Sequence, residues 1–333
     1  MTATPMIRIG TRGSPLALAQ AEMVRALLQA AHPDLRQDEA IVLEVITTSG
    51  DRFLDRPLAD IGGKGLFTKE IDEALLDGRI DLAVHSMKDV PTWLPEGIVL
   101  PCMLEREDVR DALIGPGITG LKDLAEGAVV GTASLRRGAQ ILARRPDVTV
   151  VPFRGNVQSR LRKLAAKEVD VTLLAMAGLR RLNMADQATG ILEPTEMLPA
   201  VAQGAVGITC RTEDSDILAR LAPLDHAETT LCVQAERAML ATLDGSCRTP
   251  IGGLASLSED GQTLSLEGLV IKPDGSATHR TSQTGPAADP IALGQAVGQA
   301  LLERMGPDFL SLPQKSAASA APSGTPIATD PEA

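Results

Sequence analysis

The residues best placed for chemistry lie where short apolar runs break into polar ones. Ile80, Leu82, Ala83 and Val84 make a buried-strand pattern that gives way to His85, Ser86, Lys88 and Asp89, and Pro91 forbids ordinary continuation of the strand. Ligands meet open α/β sheets at the carboxyl ends of strands. An ammonium beside a carboxylate at such an end can manage protons or stabilise developing positive charge, or it can be a solvated ion pair. Further on, apolar runs at Val129 to Gly131, Val148 to Val151 and Val171 to Ala175 are each followed by arginine: Arg136 and Arg137, then Arg154 with Arg160 on the next helix, then Arg181. Arg136 and Arg137 fall in the first turn of a helix capped by Ser134, an unfavourable place for cations unless an anion shares the site.

Charge sharpens that reading. From Gly131 to Arg181 nine Arg and two Lys face three acidic residues, an excess of +8 inside a chain of net charge −11. A basic segment in an acidic protein fits a small polyanionic ligand. Solvated helix faces account for Arg144, Arg145 and Lys167. The acidic total, 2% aromatic content and absence of Tyr argue against a nucleic-acid partner. No apolar run approaches the roughly 20 residues of a membrane span. The N-terminal Met-Thr-Ala-Thr-Pro-Met has no export signal. Cys102, Cys210, Cys232 and Cys247 are scattered without metal-ligand spacing, so reduced thiols, no metal and a cytoplasmic location are expected.

The elements that must position these residues follow in order. Ile7 to Ile9 is a strand, Ser14 caps a helix that opens with Pro15, and Arg12 stands beside that helix start, a natural anion site. A strand over Ile41 to Thr47 leads to a Gly62-Gly-Lys-Gly-Leu-Phe67 stretch. It is neither a Walker A loop nor a dinucleotide fingerprint, and reads as a loop holding Lys64 and Phe67 over a site. Val129-Val-Gly-Thr-Ala-Ser134, with Thr132, then echoes Ile9-Gly-Thr-Arg-Gly-Ser14, so a second lobe repeats the first. The small residues around Pro199 to Gly207, with Gln203, suit a segment crossing between lobes. A helix near 226–243, strands near 251–257 and 264–271 and a helix near 290–305 indicate a small α+β domain. The Ala/Ser/Pro/Thr-rich end is expected to be disordered. The expected organisation is α/β: lobe 1 over 6–104 with 205–222, lobe 2 over 105–204, a third domain over 225–312, and a tail over 313–333.

Five segments together resemble the porphobilinogen deaminase family: Thr11-Arg-Gly-Ser-Pro-Leu-Ala17, Val84-His-Ser-Met-Lys-Asp-Val-Pro91, Gly131-Thr-Ala-Ser-Leu-Arg-Arg137, Arg154-Gly-Asn156 and Asp244-Gly-Ser-Cys-Arg-Thr-Pro-Ile-Gly252. They are collinear from about Ile7 to Leu312. Ala133, Ala202 and Ser246 stand where the family often has Ser, Gly and Gly; none removes a charged or nucleophilic group. The resemblance implies lobes like type II periplasmic binding proteins with mixed sheets, and a monomeric transferase that joins four porphobilinogen molecules with loss of ammonia. It further implies a dipyrromethane cofactor held by thioether to Cys247, a residue that taken alone is simply a loop thiol. Carried onto this chain, Asp89 is the catalytic carboxylate. Lys88, Thr132, Ser134, Arg136, Arg137 and Arg160 join Cys247 in holding the cofactor. Arg12, Ser14, Lys64, Phe67, Arg154, Arg181 and Gln203 meet the substrate. A two-lobed binding protein without catalysis gives no role to the Cys247 loop, and the effector lobe of a transcription regulator needs a DNA-binding helix-turn-helix before the first strand.

Overall fold

The computed structural model describes residues 6–37, 39–52, 65–245, 249–306 and 309. The first lobe opens with β1 (Ile7–Thr11), α1 (Pro15–Ala31), β2 (Ile41–Val45), α2 (Ser49–Arg52), α3 (Lys69–Leu76), β3 (Leu82–Ser86) and β4 (Ile98–Met103). The chain then crosses into β5 (Asp111–Ile114), β6 (Val129–Gly131), α4 (Leu135–Arg144), β7 (Thr149–Val151), α5 (Val157–Ala165), β8 (Val171–Ala175), α6 (Met176–Arg181) and β9 (Gly190–Leu192). It returns as β10 (Val206–Arg211) and α7 (Ser215–Leu221). The last unit is α8 (Ala227–Thr242), β11 (Ile251–Leu257), β12 (Thr263–Ile271), β13 (Thr278–Pro286) and α9 (Pro290–Leu302).

The sheets run β2-β1-β3-β10-β4 and β7-β6-β8-β5-β9, with β11-β12-β13 in the third unit. The first two share one plan. In each, three parallel strands lie beside an antiparallel strand contributed by a crossing segment, β10 in one and β5 in the other. The echo between the two Gly-Thr turns is therefore a repeat of architecture. Parallel strands buried on both faces need continuous apolar runs; Leu82, Ala83 and Val84 are buried, as are Val171, Leu173 and Leu174. Ile7, Ile9, Val24, Leu28, Val206 and Ile208 build one core, and Leu113, Val130, Ile141, Val171 and Leu173 build its counterpart.

The third unit packs on both lobes. Its core of Val233, Met239, Ile251, Leu266, Val297 and Leu301 takes in Met87, Val90 and Met103 from the first lobe. Toward the second lobe Leu269 and Ile271 pack on Ala139 and Leu198. Glu236 of α8, fully buried, ties the unit to both crossing segments. Its carboxylate accepts from Arg106 Nη1 at 2.6 Å and Nη2 at 3.1 Å, from the Ala202 N–H at 2.6 Å and from the Ala255 N–H at 2.8 Å. The Ala202 departure has a cost here. Its φ is 60°, the left-handed region where a Cβ costs about 1–2 kcal/mol, and the Glu236 bond holds it there.

Sequence reasoning did not find three strands. β13 is polar throughout and is an edge of its sheet; β5 and β9, of four and three residues, are too short for a periodic signal. Residues 313–333, expected to be a disordered tail, lie outside the described residues.

Candidate active site

A cavity of about 610 Å³ lies between the two lobes, within the roughly 300–1,000 Å³ typical of small-molecule sites. Arg12, Ser14, Phe67, Lys88, Asp89, Ser134, Arg136, Arg137, Arg154, Arg160, Arg181 and Gln203 all line it. Parallel alignment of β6, β7 and β8 explains the gathering of arginines: their carboxyl ends share one sheet edge, and each leads into an arginine-bearing segment. Thr132, expected among the cofactor-binding residues, sits just behind this wall and braces the Ser134 backbone. It does not line the cavity; it is buried, and its hydroxyl accepts the Ser134 N–H at 3.1 Å. Lys64 and Cys247 lie outside the described residues.

On the first lobe the strand ends as its proline demands. Residues 87–89 form a single 3₁₀ turn, closed by the Val90 N–H on the Met87 carbonyl. The turn is seated on β10: Met87 N–H donates to the Ala205 carbonyl at 3.1 Å, and a Cβ on Gly207 would fall 2.1 Å from Met87 Sδ. Asp89 is about one-third exposed, with Arg12 Nη1 at 3.8 Å. Arg12 does not stand free for a ligand. Its Nη2 and Nε pair with Asp51 at 2.5 and 3.1 Å, and its guanidinium lies over the Phe67 ring, 4.2 Å from the centroid. Burial opposes the charge of both partners, yet their mutual bonds raise the Arg12 pKa and lower that of Asp51.

The second lobe is organised by Asp111, a residue with no sequence signal. It is fully buried, and Arg136 Nη2 and Arg137 Nη2 bind its two oxygens at 2.8 and 2.7 Å. Gln203 Nε2 adds a bond of 2.8 Å. Burial pushes the carboxyl up, but the two guanidiniums and Gln203 hold it far below the usual range. Arg136 also donates to the Leu198 carbonyl and Arg137 to that of Leu173. The two side chains are thus locked in place before any ligand arrives. Each keeps a buried Nε without a partner among the described residues, as does Gln203 its Oε1.

Arg160 and Arg181 are held by main-chain carbonyls instead. Arg160 Nε donates to Gly155 and Arg181 Nη2 to Gly204. Burial, with Arg137 and Arg154 nearby, pulls the Arg160 pKa down to about 10, and burial lowers that of Arg181. Burial also brings Lys88 down to about 8, partly offset by Asp89. None of these three forms an ion pair with a described carboxylate. Ser14 and Ser134 accept from the N–H groups of Ala17 and Arg137 as helix caps, which leaves each hydroxyl proton for the cavity. Gln20 and Ser86, unassigned from sequence, exchange hydrogen bonds of 2.9 and 3.1 Å on the cavity wall. Glutamine in an otherwise apolar stripe of α1 was the signal available. His85 is buried against Thr209, and burial holds its pKa near 4, so it is neutral at pH 7.

Two like lobes around a cavity lined by cations, with a carboxylate at a strand end, define a cleft protein for a small polycarboxylate. The chain belongs to the porphobilinogen deaminase family. Residues 7–219 match the porphobilinogen deaminase dipyromethane cofactor binding domain, and residues 230–303 match the porphobilinogen deaminase C-terminal domain. Over 306 residues it is 58% identical to "Porphobilinogen deaminase, chloroplastic" of Oryza sativa subsp. japonica, covering 91% of this chain and 85% of that one. Over 303 residues it is 54% identical to the porphobilinogen deaminase of Paracoccus denitrificans (strain Pd 1222), covering 91% and 96%. Among solved structures, the methionine binding protein MetQ matches at 12% identity and a TM-score of 0.42, over 71% of this chain and 93% of that one.

Proposed function

We propose that this chain is a hydroxymethylbilane synthase, a transferase that joins four porphobilinogen molecules into a linear tetrapyrrole and releases an ammonia for each. One observation carries the assignment of its site: Lys88, Arg160 and Arg181 line the same cavity as Asp89 without described carboxylate partners. Each porphobilinogen brings an acetate and a propionate, which Arg recognises in bidentate fashion. A dipyrromethane fits the same donors. Its carboxylates suit the unpaired cations, and its pyrrole N–H groups suit Asp89 and the orphan Gln203 Oε1. When bound it supplies a free pyrrole α-carbon as nucleophile.

Breaking the aminomethyl C–N bond releases ammonia and leaves a cation delocalised over the pyrrole. Asp89 stabilises that cation and takes up the proton lost when the new C–C bond forms. Arg136 and Arg137, fixed by Asp111, orient carboxylates without reorganisation. Arg12, engaged by Asp51, sets the field around Asp89 and meets the substrate only through Nη1. Ser14, Ser134, Arg154, Phe67 and Gln203 complete the wall. Cys247 is the attachment point and Lys64 adds charge at the cleft. We take lobe 1 as 6–104 with 205–222, lobe 2 as 105–204 and the cofactor-carrying domain as 225–312, working as a monomer in the cytoplasm without membrane or nucleic acid. No helix among the described residues is long and apolar enough to cross a membrane.

The arginines divide by partner, and that division tests the reading. Arg136→Leu breaks a buried pair, so stability falls by about 3–5 kcal/mol. Arg160→Leu removes a cation with no described carboxylate partner. Its urea midpoint stays close to wild type while substrate affinity drops about 10- to 100-fold, the worth of a charged hydrogen bond. Wild-type KM in Arg160→Leu, or equal unfolding midpoints for the two variants, contradicts the assignment.

Lys88 gives the site a pH dependence. Its folded pKa of about 8 lies below the ordinary 10.5, so between those values the folded chain holds fewer protons than the unfolded one. Stability from this group therefore rises with pH across that window, and the cost of the buried ammonium is fully present below about 8. Carboxylate binding needs the charged form. KM for porphobilinogen should rise above pH 8 in the wild type, and this inflection should vanish in Lys88→Met. An inflection that persists in the variant assigns it to another group.

A further inference from the structure

The turn carrying Asp89 is gripped from outside the cavity. Arg237 lies on α8 beside Glu236 and does not line the cavity. Its Nη1 donates to the Val90 carbonyl at 3.1 Å and its Nη2 to the Pro91 carbonyl at 2.6 Å. It makes no ion pair among the described residues, and burial pulls its pKa down to about 10. A guanidinium desolvated without a carboxylate, with its fork spread over two successive carbonyls, is an expensive way to hold a loop. These carbonyls are also the handles that remain on that side of the turn. Pro91 has no N–H, and the Val90 N–H is spent on Met87.

We infer that Arg237 is a positioning residue for ammonia release: from the third unit it fixes the backbone just after Asp89, and so the place of the Asp89 carboxylate. β10 holds the amino side of the turn through Met87, and α8 holds the carboxyl side through Arg237. Because Glu236, one residue earlier, binds Arg106 and Ala202 of the two crossing segments, the same helix turn references Asp89 to the hinge between the lobes. The inference rests on the reading of Asp89 as the catalytic carboxylate.

Misplacing a catalytic group by about 1 Å can cost on the order of a hundredfold. Arg237→Met should lower kcat about 10- to 100-fold on that basis, with KM within about twofold of wild type. Arg237→Lys, which keeps a donor for the carbonyls, should recover most of it. A double-mutant cycle with Asp89→Asn separates positioning from general structure: adding Arg237→Met to Asp89→Asn should cost almost nothing further. The chain's single tryptophan, Trp93, lies two residues beyond Pro91 and is 48% exposed. Its quenching by acrylamide should increase in Arg237→Met while far-ultraviolet circular dichroism stays unchanged. Wild-type kcat in Arg237→Met overturns the inference and leaves the role of Asp89 standing. Multiplicative losses in the double variant also overturn it, since Arg237 then acts by another route. Wild-type turnover in Asp89→Asn removes both. If the Met variant does not fold, Arg237→Lys is decisive: a kcat lowered about two- to fivefold supports the inference, and wild-type kcat with wild-type Trp93 quenching overturns it.

Discussion

Asp89→Asn should slow ammonia release roughly a hundred- to thousandfold, the cost of removing one preorganised electrostatic group of about 2.7–4 kcal/mol. Asn keeps the shape and one acceptor but supplies no charge and takes no proton. Its surroundings make the charge effective. The nearest cation is Arg12 Nη1 at 3.8 Å, and that guanidinium is already neutralised by Asp51 at 2.5 Å, so the Asp89 carboxylate remains available to a developing cation. The carboxylates of the substrate still meet Arg160, Arg181 and Lys88, so binding should suffer far less than turnover. Glu restores charge on a longer arm, and Asp89→Glu should retain more activity than Asp89→Asn. Single-turnover rates on cofactor-loaded protein check this. A strand-end ion pair with Lys88 is the competing account. The structure contains no such pair among the described residues, and that account predicts unchanged kinetics. Ammonia formed by Asp89→Asn at the wild-type rate removes Asp89 from the chemistry.

The site was legible in sequence where local rules write it. Pro91 marks the end of β3, Ser14 and Ser134 mark the helix starts, and the arginines follow the three strands whose ends meet. What tertiary structure alone decides was not legible. Asp111 sits in a charged stretch, Glu105-Arg-Glu-Asp-Val-Arg-Asp111, that looks like a solvated crossover; it becomes the anchor of Arg136 and Arg137 only because β5 inserts beside β8. Asp51 meets Arg12 across 39 residues. Glu236 has no local signal in its helix, yet its carboxylate binds Arg106 and Ala202 of the two crossing segments. Gln20 acquires a role only through Ser86, 66 residues away. The fold class followed from alternating strands and helices. The order β7-β6-β8-β5-β9 could not follow, because β5 and β9 are too short to announce themselves.

Cys247→Ser should give folded protein without a covalent pyrrole and without activity. Cys102, Cys210 and Cys232 are buried, and burial pushes their thiols up to about 12, 11 and 11. Thiols so protonated and enclosed are poor nucleophiles. Cys247 itself lies outside the described residues. Leu240, Thr249 and Ile251 line the cavity. Asp89 and the arginines line the same cavity. An aldehyde reagent for free pyrrole α-positions should colour the wild type and leave the variant colourless. The most direct test of the whole account is the intact mass of purified wild-type protein, before and after brief exposure to porphobilinogen. It should exceed the sequence mass by two pyrrole units at rest, and then show a ladder of further steps, each one porphobilinogen less one ammonia. In Cys247→Ser both the excess and the ladder should be absent. Wild-type protein at its bare sequence mass, unchanged by porphobilinogen, would contradict the account.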